Sequence, residues 1–138
     1  MTVDDVMTTA LITASPRETV DQADFDMRLA RIRHIPVVDD RNRLVGIISN
    51  RDLLRAFDKL GKDSVAIESV MTTEVRTISG DAPARDAVSD LIEYKIGCLP
   101  VTGAEGQLIG LVTETDFLRI AHELLSGQFE PEAIREEG

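Results

Sequence analysis

Two short stretches of the chain carry residue types and spacing suited to holding a small molecule. Ser49-Asn50-Arg51-Asp52 and Thr113-Glu114-Thr115-Asp116 each place a hydroxyl residue at the end of an apolar run and an aspartate three positions later. Two chemistries fit that spacing. In the first, the hydroxyl residue is the N-cap of a helix and the aspartate reaches back to it, so that both satisfy free amides of the first turn. In the second, the same helix start offers N–H donors to a phosphate while the carboxylate accepts hydrogen bonds from ribose hydroxyls. The spacing does not choose between them. A further pair of stretches, Ile32-Arg33-His34-Ile35-Pro36 and Ile96-Gly97-Cys98-Leu99-Pro100, differs at its centre. Arg33 and His34 can donate to a phosphate, whereas Gly97 and Cys98 cannot match them. If these positions line two clefts, one has anion donors and the other lacks them. Taken singly, His34 fits equally an exposed or locally bonded side chain, and Cys98 a small buried hydrophobe.

The elements that position these residues come as a tandem repeat. Val6-Met7-Thr8-Thr9 recurs as Val70-Met71-Thr72-Thr73, an offset of 64. Carried along without a gap, that offset gives 16 identities over the 55 pairs from Val3/Ile67 to Phe57/Ala121, where ordinary composition yields roughly three or four. Each copy follows one plan. Val20, Ala23, Met27 and Ala30, and in the second copy Ala84, Ala87, Val88, Leu91 and Ile92, have helical spacing within 19–33 and its counterpart. Two β-branched runs follow, 35–38 with 44–48 and 99–102 with 108–112, each pair joined by a turn-like segment. The prolines Pro36 and Pro100 fit the first residues of edge strands. A second helix then runs from Asn50 to about Leu60 and from Glu114 to about Leu125. One unit of about 55 residues is too small to be secure alone, so the pair is the expected folding unit. The expected divisions are 1–60, a polar link 61–64, 65–125 and an acidic tail 126–138.

Composition narrows the function. The 138 residues carry a net charge of −10, which disfavours a broad polyanion-binding surface and hence nucleic acid as a partner. The excess is uneven: residues 1–64 hold 10 basic and 11 acidic side chains, and 65–138 hold 5 and 14, so the halves carry −1 and −9. The apolar 43% suffices for an aliphatic core, and no run reaches the roughly 18 apolar residues of a membrane span. A single cysteine and an N-terminus without a basic and apolar leader fit a cytoplasmic protein. Neither GxxxxGK[ST] nor GxGxxG occurs, Cys/His metal spacing is missing, and His34, His122 and Cys98 have no evident catalytic partner in sequence. The expectation is a protein that is not an enzyme.

The order of these blocks, twice in register, resembles the CBS (cystathionine beta-synthase) domain family. The residues that carry the resemblance are Asp5-Val6-Met7-Thr8 and Ser69-Val70-Met71-Thr72, His34-Ile35-Pro36-Val37-Val38-Asp39 and Cys98-Leu99-Pro100-Val101, and the runs Leu44 to Asp52 and Leu108 to Asp116. It spans residues 3 to about 121 and is similar to a stand-alone CBS pair, or Bateman module. The resemblance implies an α+β fold of two β-α-β-β-α units whose sheets pack around an internal pseudo-two-fold axis. It also implies two clefts for adenosyl ligands such as AMP, ADP, ATP, S-adenosylmethionine or NAD-type molecules. Carried over residue by residue, Leu111, Thr113 and Asp116 share the first cleft with Leu11 to Thr13, Ala23, Arg33, His34, Ile35 and Val45. The second combines Ile47, Ser49 and Asp52 with Val75 to Thr77, Ala87, Gly97, Cys98, Leu99 and Ile109. The implied role is regulatory: an adenine nucleotide as ligand, no required cofactor or metal, a homodimer, and an unidentified regulated protein. Arg33 makes the first cleft the expected better nucleotide site. The competing reading is an interaction module with vestigial clefts.

Overall fold

The computed structural model describes residues 1–60 and 65–127. The expected link 61–64, and the tail beyond Gly127, lie outside the described residues. In chain order the elements are α1 (Val3–Val6), α2 (Val20–Ala30), β1 (His34–Val38), β2 (Leu44–Ser49), α3 (Asn50–Leu60), a 3-10 turn (Ile67–Ser69), α4 (Ala84–Glu93), β3 (Cys98–Thr102), β4 (Leu108–Thr113) and α5 (Glu114–Ser126). The α+β repeat is thus present, with two antiparallel hairpins, β1-β2 and β3-β4.

Their registers are equivalent. Pro36 lies opposite Ile47 and Val37 opposite Gly46, just as Pro100 lies opposite Leu111 and Val101 opposite Gly110, with a bulge one residue later in each. The first strand of each β-α-β-β-α unit shrinks to one parallel bridge. Ala14 donates to Pro36 O at 3.0 Å and accepts from Val38 N at 2.9 Å; Ile78 does the same with Pro100 and Thr102, at 3.0 Å both ways. Both prolines therefore sit third in their strands and not first, with a backbone neighbour on each side. Proline is tolerated there because its carbonyl, and not a nitrogen donor, makes the bridge.

Helix α2 ends at Ala30, three residues before the limit of the apolar pattern. Arg31 turns left-handed with φ 57°, and Lys95, its equivalent after α4, does so with φ 53°. Such termini favour glycine or asparagine, so a basic residue gave no stop signal. Helix α5 runs one residue further than expected and takes in Ser126.

The two cores exchange their opening segments. Val3, at the start of the first copy, is fully buried with Ala87, Leu91, Leu99, Val101 and Val112 of the second. Ile67, at the start of the second, is buried with Val20, Ala23, Met27, Ile35, Val37, Ile48 and Leu53 of the first. Backbone hydrogen bonds fasten both exchanges: Val3 N to Ala82 O at 2.9 Å and Ile67 N to Glu18 O at 2.8 Å. The hairpin ends also meet reciprocally, Leu44 N donating to Gly106 O at 3.0 Å and Leu108 N to Asn42 O at 2.9 Å. Asn42 and Gly106 reach that contact with positive φ, 61° and 84°. Two half-sized cores are thereby locked around the pseudo-two-fold axis as one unit.

Candidate functional site

After the exchange, each Met-Thr segment crosses to the far repeat's hairpin. Thr8 bridges Leu111 in β4, and Thr72 bridges Ile47 in β2. The approach is close because the hairpin offers glycine there. A Cβ on Gly110 would stand 2.5 Å from Met7 Sδ, and one on Gly46 would stand 2.6 Å from Met71 Sδ and 2.9 Å from Thr72 O. Between each crossing segment and the following helix start lies a cleft. The first has a volume of about 710 Å³ and the second about 690 Å³, within the usual range of small-molecule sites.

The hydroxyl/aspartate pairs sit at the helix starts as capping boxes. Ser49 N donates to Asp52 Oδ2 at 2.9 Å while Asp52 N donates to Ser49 Oγ at 3.1 Å. Thr113 N donates to Asp116 Oδ2 at 2.9 Å, completing the same box at α5. The boxes orient each carboxylate towards its cleft, so capping and ligand contact are compatible. The two aspartates nevertheless differ. Asp116 is 6% exposed, and its Oδ1 accepts from Thr8 Oγ1 at 3.0 Å, with Arg119 Nη1 at 3.7 Å. Asp52 is half-buried.

The structure brings Leu11, Arg33, His34, Leu111, Thr113 and Asp116 together in the first cleft. In the second it brings together Ile47, Ser49, Asp52, Val75, Gly97 and Cys98. It places other expected residues elsewhere. Ala23 and Ile35 are buried in the first core, with Val45 packed against it, and Ala87 and Leu99 are buried in the second. Their side chains satisfy the apolar periodicity by pointing inward and do not reach a cleft wall. Thr13, Thr77 and Ile109 are exposed and line neither cleft.

The expected contrast in anion donors is also corrected. Arg33, His34, Gly97 and Glu114 line both clefts, and the second additionally has Arg51, Arg76 and Lys95. His34 pairs with Ser49 across β1-β2, and Asn50 N donates to Arg33 O at 2.8 Å, so these residues adjoin the Asp52 helix start of their own repeat as well as the Asp116 cleft. Arg76 is held over the Tyr94 ring at 3.9 Å and paired with Asp90 at 3.2 Å. Sequence reasoning missed Arg31, Lys95, Arg119 and Thr8 as cleft residues. The signal was present in the repeat itself, since Arg31/Lys95, Arg55/Arg119 and Thr8/Thr72 occupy matched positions.

Burial, followed by the neighbouring Arg33, lowers the His34 pKa below its ordinary value, against the opposing pull of Asp52 and Glu114. Burial, with Asp116 nearby, pushes the Cys98 thiol up to about 12. That thiol is a poor nucleophile. Among the described residues, no group of three or more His, Cys, Asp or Glu side chains has metal-holding geometry. No helix is long and apolar enough to cross a membrane among those residues.

The model of the CBS domain matches the chain twice, at residues 3–59 and 67–123. Inosine-5'-monophosphate dehydrogenase of Halobacterium salinarum is 40% identical over 103 residues, 75% of this chain and 20% of that enzyme. The chain therefore spans about a fifth of the length of that curated relative. Among solved structures, CBSX2 in complex with AMP is 31% identical with a TM-score of 0.81, covering 89% of this chain and 97% of the other; CBSX2 is from Arabidopsis thaliana. The CBS domain pair of protein MJ0100, in complex with 5'-methylthioadenosine and S-adenosyl-L-methionine, is 29% identical with a TM-score of 0.81 and covers 89% and 97%. With two matched copies, equivalent hairpins and clefts related by the repeat, the chain belongs to the CBS domain family as a tandem pair.

Proposed function

We propose that this chain is a regulatory, non-catalytic module that binds an adenosyl ligand, of the AMP, ADP or ATP class, and signals its occupancy to a partner protein. The observation that carries the reading is the pair of repeat-related clefts, each with an aspartate oriented by its own capping box. In each cleft the aspartate takes the ribose hydroxyls. The helix start, with Arg33 and His34, takes the phosphate. Apolar side chains such as Leu11, Leu111, Ile47 and Val75 supply the surface for the adenine. The AMP complex of CBSX2 and the S-adenosylmethionine complex of the MJ0100 pair support this ligand class.

Homodimerisation belongs to the same reading. Phe25 and Leu29 of α2, Ile92 of α4 and Leu118 of α5 are exposed at 59%, 74%, 72% and 67%, and such helix faces suit a second copy. A cytoplasmic location fits a nucleotide sensor. Thermal denaturation against adenosine, AMP, ADP, ATP and S-adenosylmethionine tests the reading, because a ligand of the folded state raises stability by mass action. An AMP-type ligand at 100 times its Kd adds about 2.7 kcal/mol. A flat melting temperature across the panel replaces this reading with that of an interaction module whose aspartates only cap helices.

A further inference from the structure

The two clefts share part of their wall. Arg33 just before β1, His34 at its start and Gly97 before β3 line both cavities, as does Glu114 at the start of α5. A symmetric repeat would put a cation at each of the matched positions 33 and 97. Here position 97 is glycine, and the space its side chain would fill is taken by His34: a Cβ on Gly97 would stand 3.1 Å from His34 Cε1. Arg33 and His34 are thus the two cationic or donor side chains common to both linings.

We propose that the clefts bind phosphate-bearing ligands with negative coupling, because occupancy of one engages the Arg33 and His34 side chains that the other also needs. This inference rests on the adenosyl-ligand reading above and adds its regulation. The coupling belongs to the phosphate and not to the nucleoside. Asp116 and Asp52 and the Leu111 and Ile47 surfaces are separate in the two clefts, so a ligand lacking phosphate meets two independent sites. A first phosphate draws Arg33 to its side. A second then finds Arg33 neutralised, with a like charge across the shared wall. Every other lining cation belongs to one cleft alone, Arg31 and Arg119 to the first and Arg51, Arg76 and Lys95 to the second, so none of them couples the two. Arg76 is moreover paired with Asp90 and stacked on Tyr94, and Arg119 lies 3.7 Å from Asp116.

Isothermal titration of four proteins with AMP and with adenosine tests the idea: the wild type, Asp52→Asn, Asp116→Asn and Arg33→Ala. Each aspartate variant retains one cleft and reports its affinity alone. The expected result is a second AMP in the wild type that binds about 5- to 100-fold more weakly than AMP binds to the corresponding single-cleft variant. Adenosine shows no such drop, and Arg33→Ala weakens AMP in both clefts and erases the difference. One AMP bound by the wild type and one by each single-cleft variant is the extreme form of the same result. Two wild-type AMP affinities equal to those of the single-cleft variants overturn the coupling and leave the nucleotide reading intact. The same drop for adenosine overturns it too, placing the coupling outside the phosphate wall. Absence of binding by either ligand overturns the reading beneath it.

Discussion

Asp52 and Asp116 occupy matched positions in the repeat, yet removing them has unequal consequences for stability. Asp52→Ala loses one capping box, worth about 1 kcal/mol. Asp116→Ala loses the equivalent box and also strands the Thr8 hydroxyl, whose 3.0 Å donation to the carboxylate ties the crossing segment to α5. A hydrogen bond to a charged acceptor contributes about 1.5–3 kcal/mol. The contact with Arg119 adds little, since the guanidinium is 66% exposed and 3.7 Å away. The expected losses are about 1 kcal/mol for Asp52→Ala and about 2–4 kcal/mol for Asp116→Ala. At this chain length, that corresponds to drops in melting temperature of roughly 3–5 °C and 6–20 °C. Urea unfolding followed by circular dichroism measures both. A Thr8→Val, Asp116→Ala cycle isolates the added contact: the double variant is little worse than Asp116→Ala alone, giving a coupling of about 1.5–3 kcal/mol. Equal losses for the two aspartates, or an additive cycle, would refute the reasoning that the first copy's opening segment is latched through Asp116.

Two further perturbations probe the packing and the shared wall. Gly46→Ala forces a Cβ to within 2.9 Å of Thr72 O, a backbone atom that cannot swing away, and costs about 1–3 kcal/mol; Gly127→Ala, with nothing within 4 Å, serves as the silent control in the same denaturant titration. For His34, burial and Arg33 hold the folded pKa below the unfolded one, so the unfolded chain takes up this proton first as pH falls. The His34 contribution to stability is therefore complete above about pH 6.5 and is lost as pH falls below it. His34→Gln flattens that limb of the urea midpoint against pH, and an unchanged limb in the variant contradicts the burial.

The repeat was legible because its two copies match without a gap, so every hydrophobic position could be checked against a partner. The exchange of opening segments was not. Val3 has the same offset to Ile67 whether each packs on its own repeat or on the other, and it is the burial of Val3 beside Val101 and Val112, and of Ile67 in the first core, that resolves it. Within the clefts, polar positions with a helix-start reason, Ser49, Asp52, Thr113 and Asp116, were legible because capping fixes where they point. Apolar positions carried over by resemblance, Ala23, Ile35, Ala87 and Leu99, are buried in the two cores; for Ala23 and Ala87 the helical spacing already pointed inward. Arg31 and Lys95 stayed hidden because a left-handed helix end usually announces itself with glycine or asparagine.

The charge arithmetic acquires a local meaning once the clefts are assembled. The first cleft is lined by Arg31, Arg33 and Arg119 against Glu114 and Asp116, three cations to two anions. The second is lined by Arg33, Arg51, Arg76 and Lys95 against Asp52, Glu74 and Glu114, four to three. Each carries a surplus of one positive charge in a chain whose total is −10. The surplus is local, because exposed charges more than about 8 Å apart are largely screened at physiological salt. Such a cavity draws a single small anion, whereas an extended polyanion meets net repulsion from the rest of the surface. Arg33 appears in both counts. Once one ligand neutralises it, the other cleft drops to an even balance, so the second phosphate has lost its electrostatic incentive.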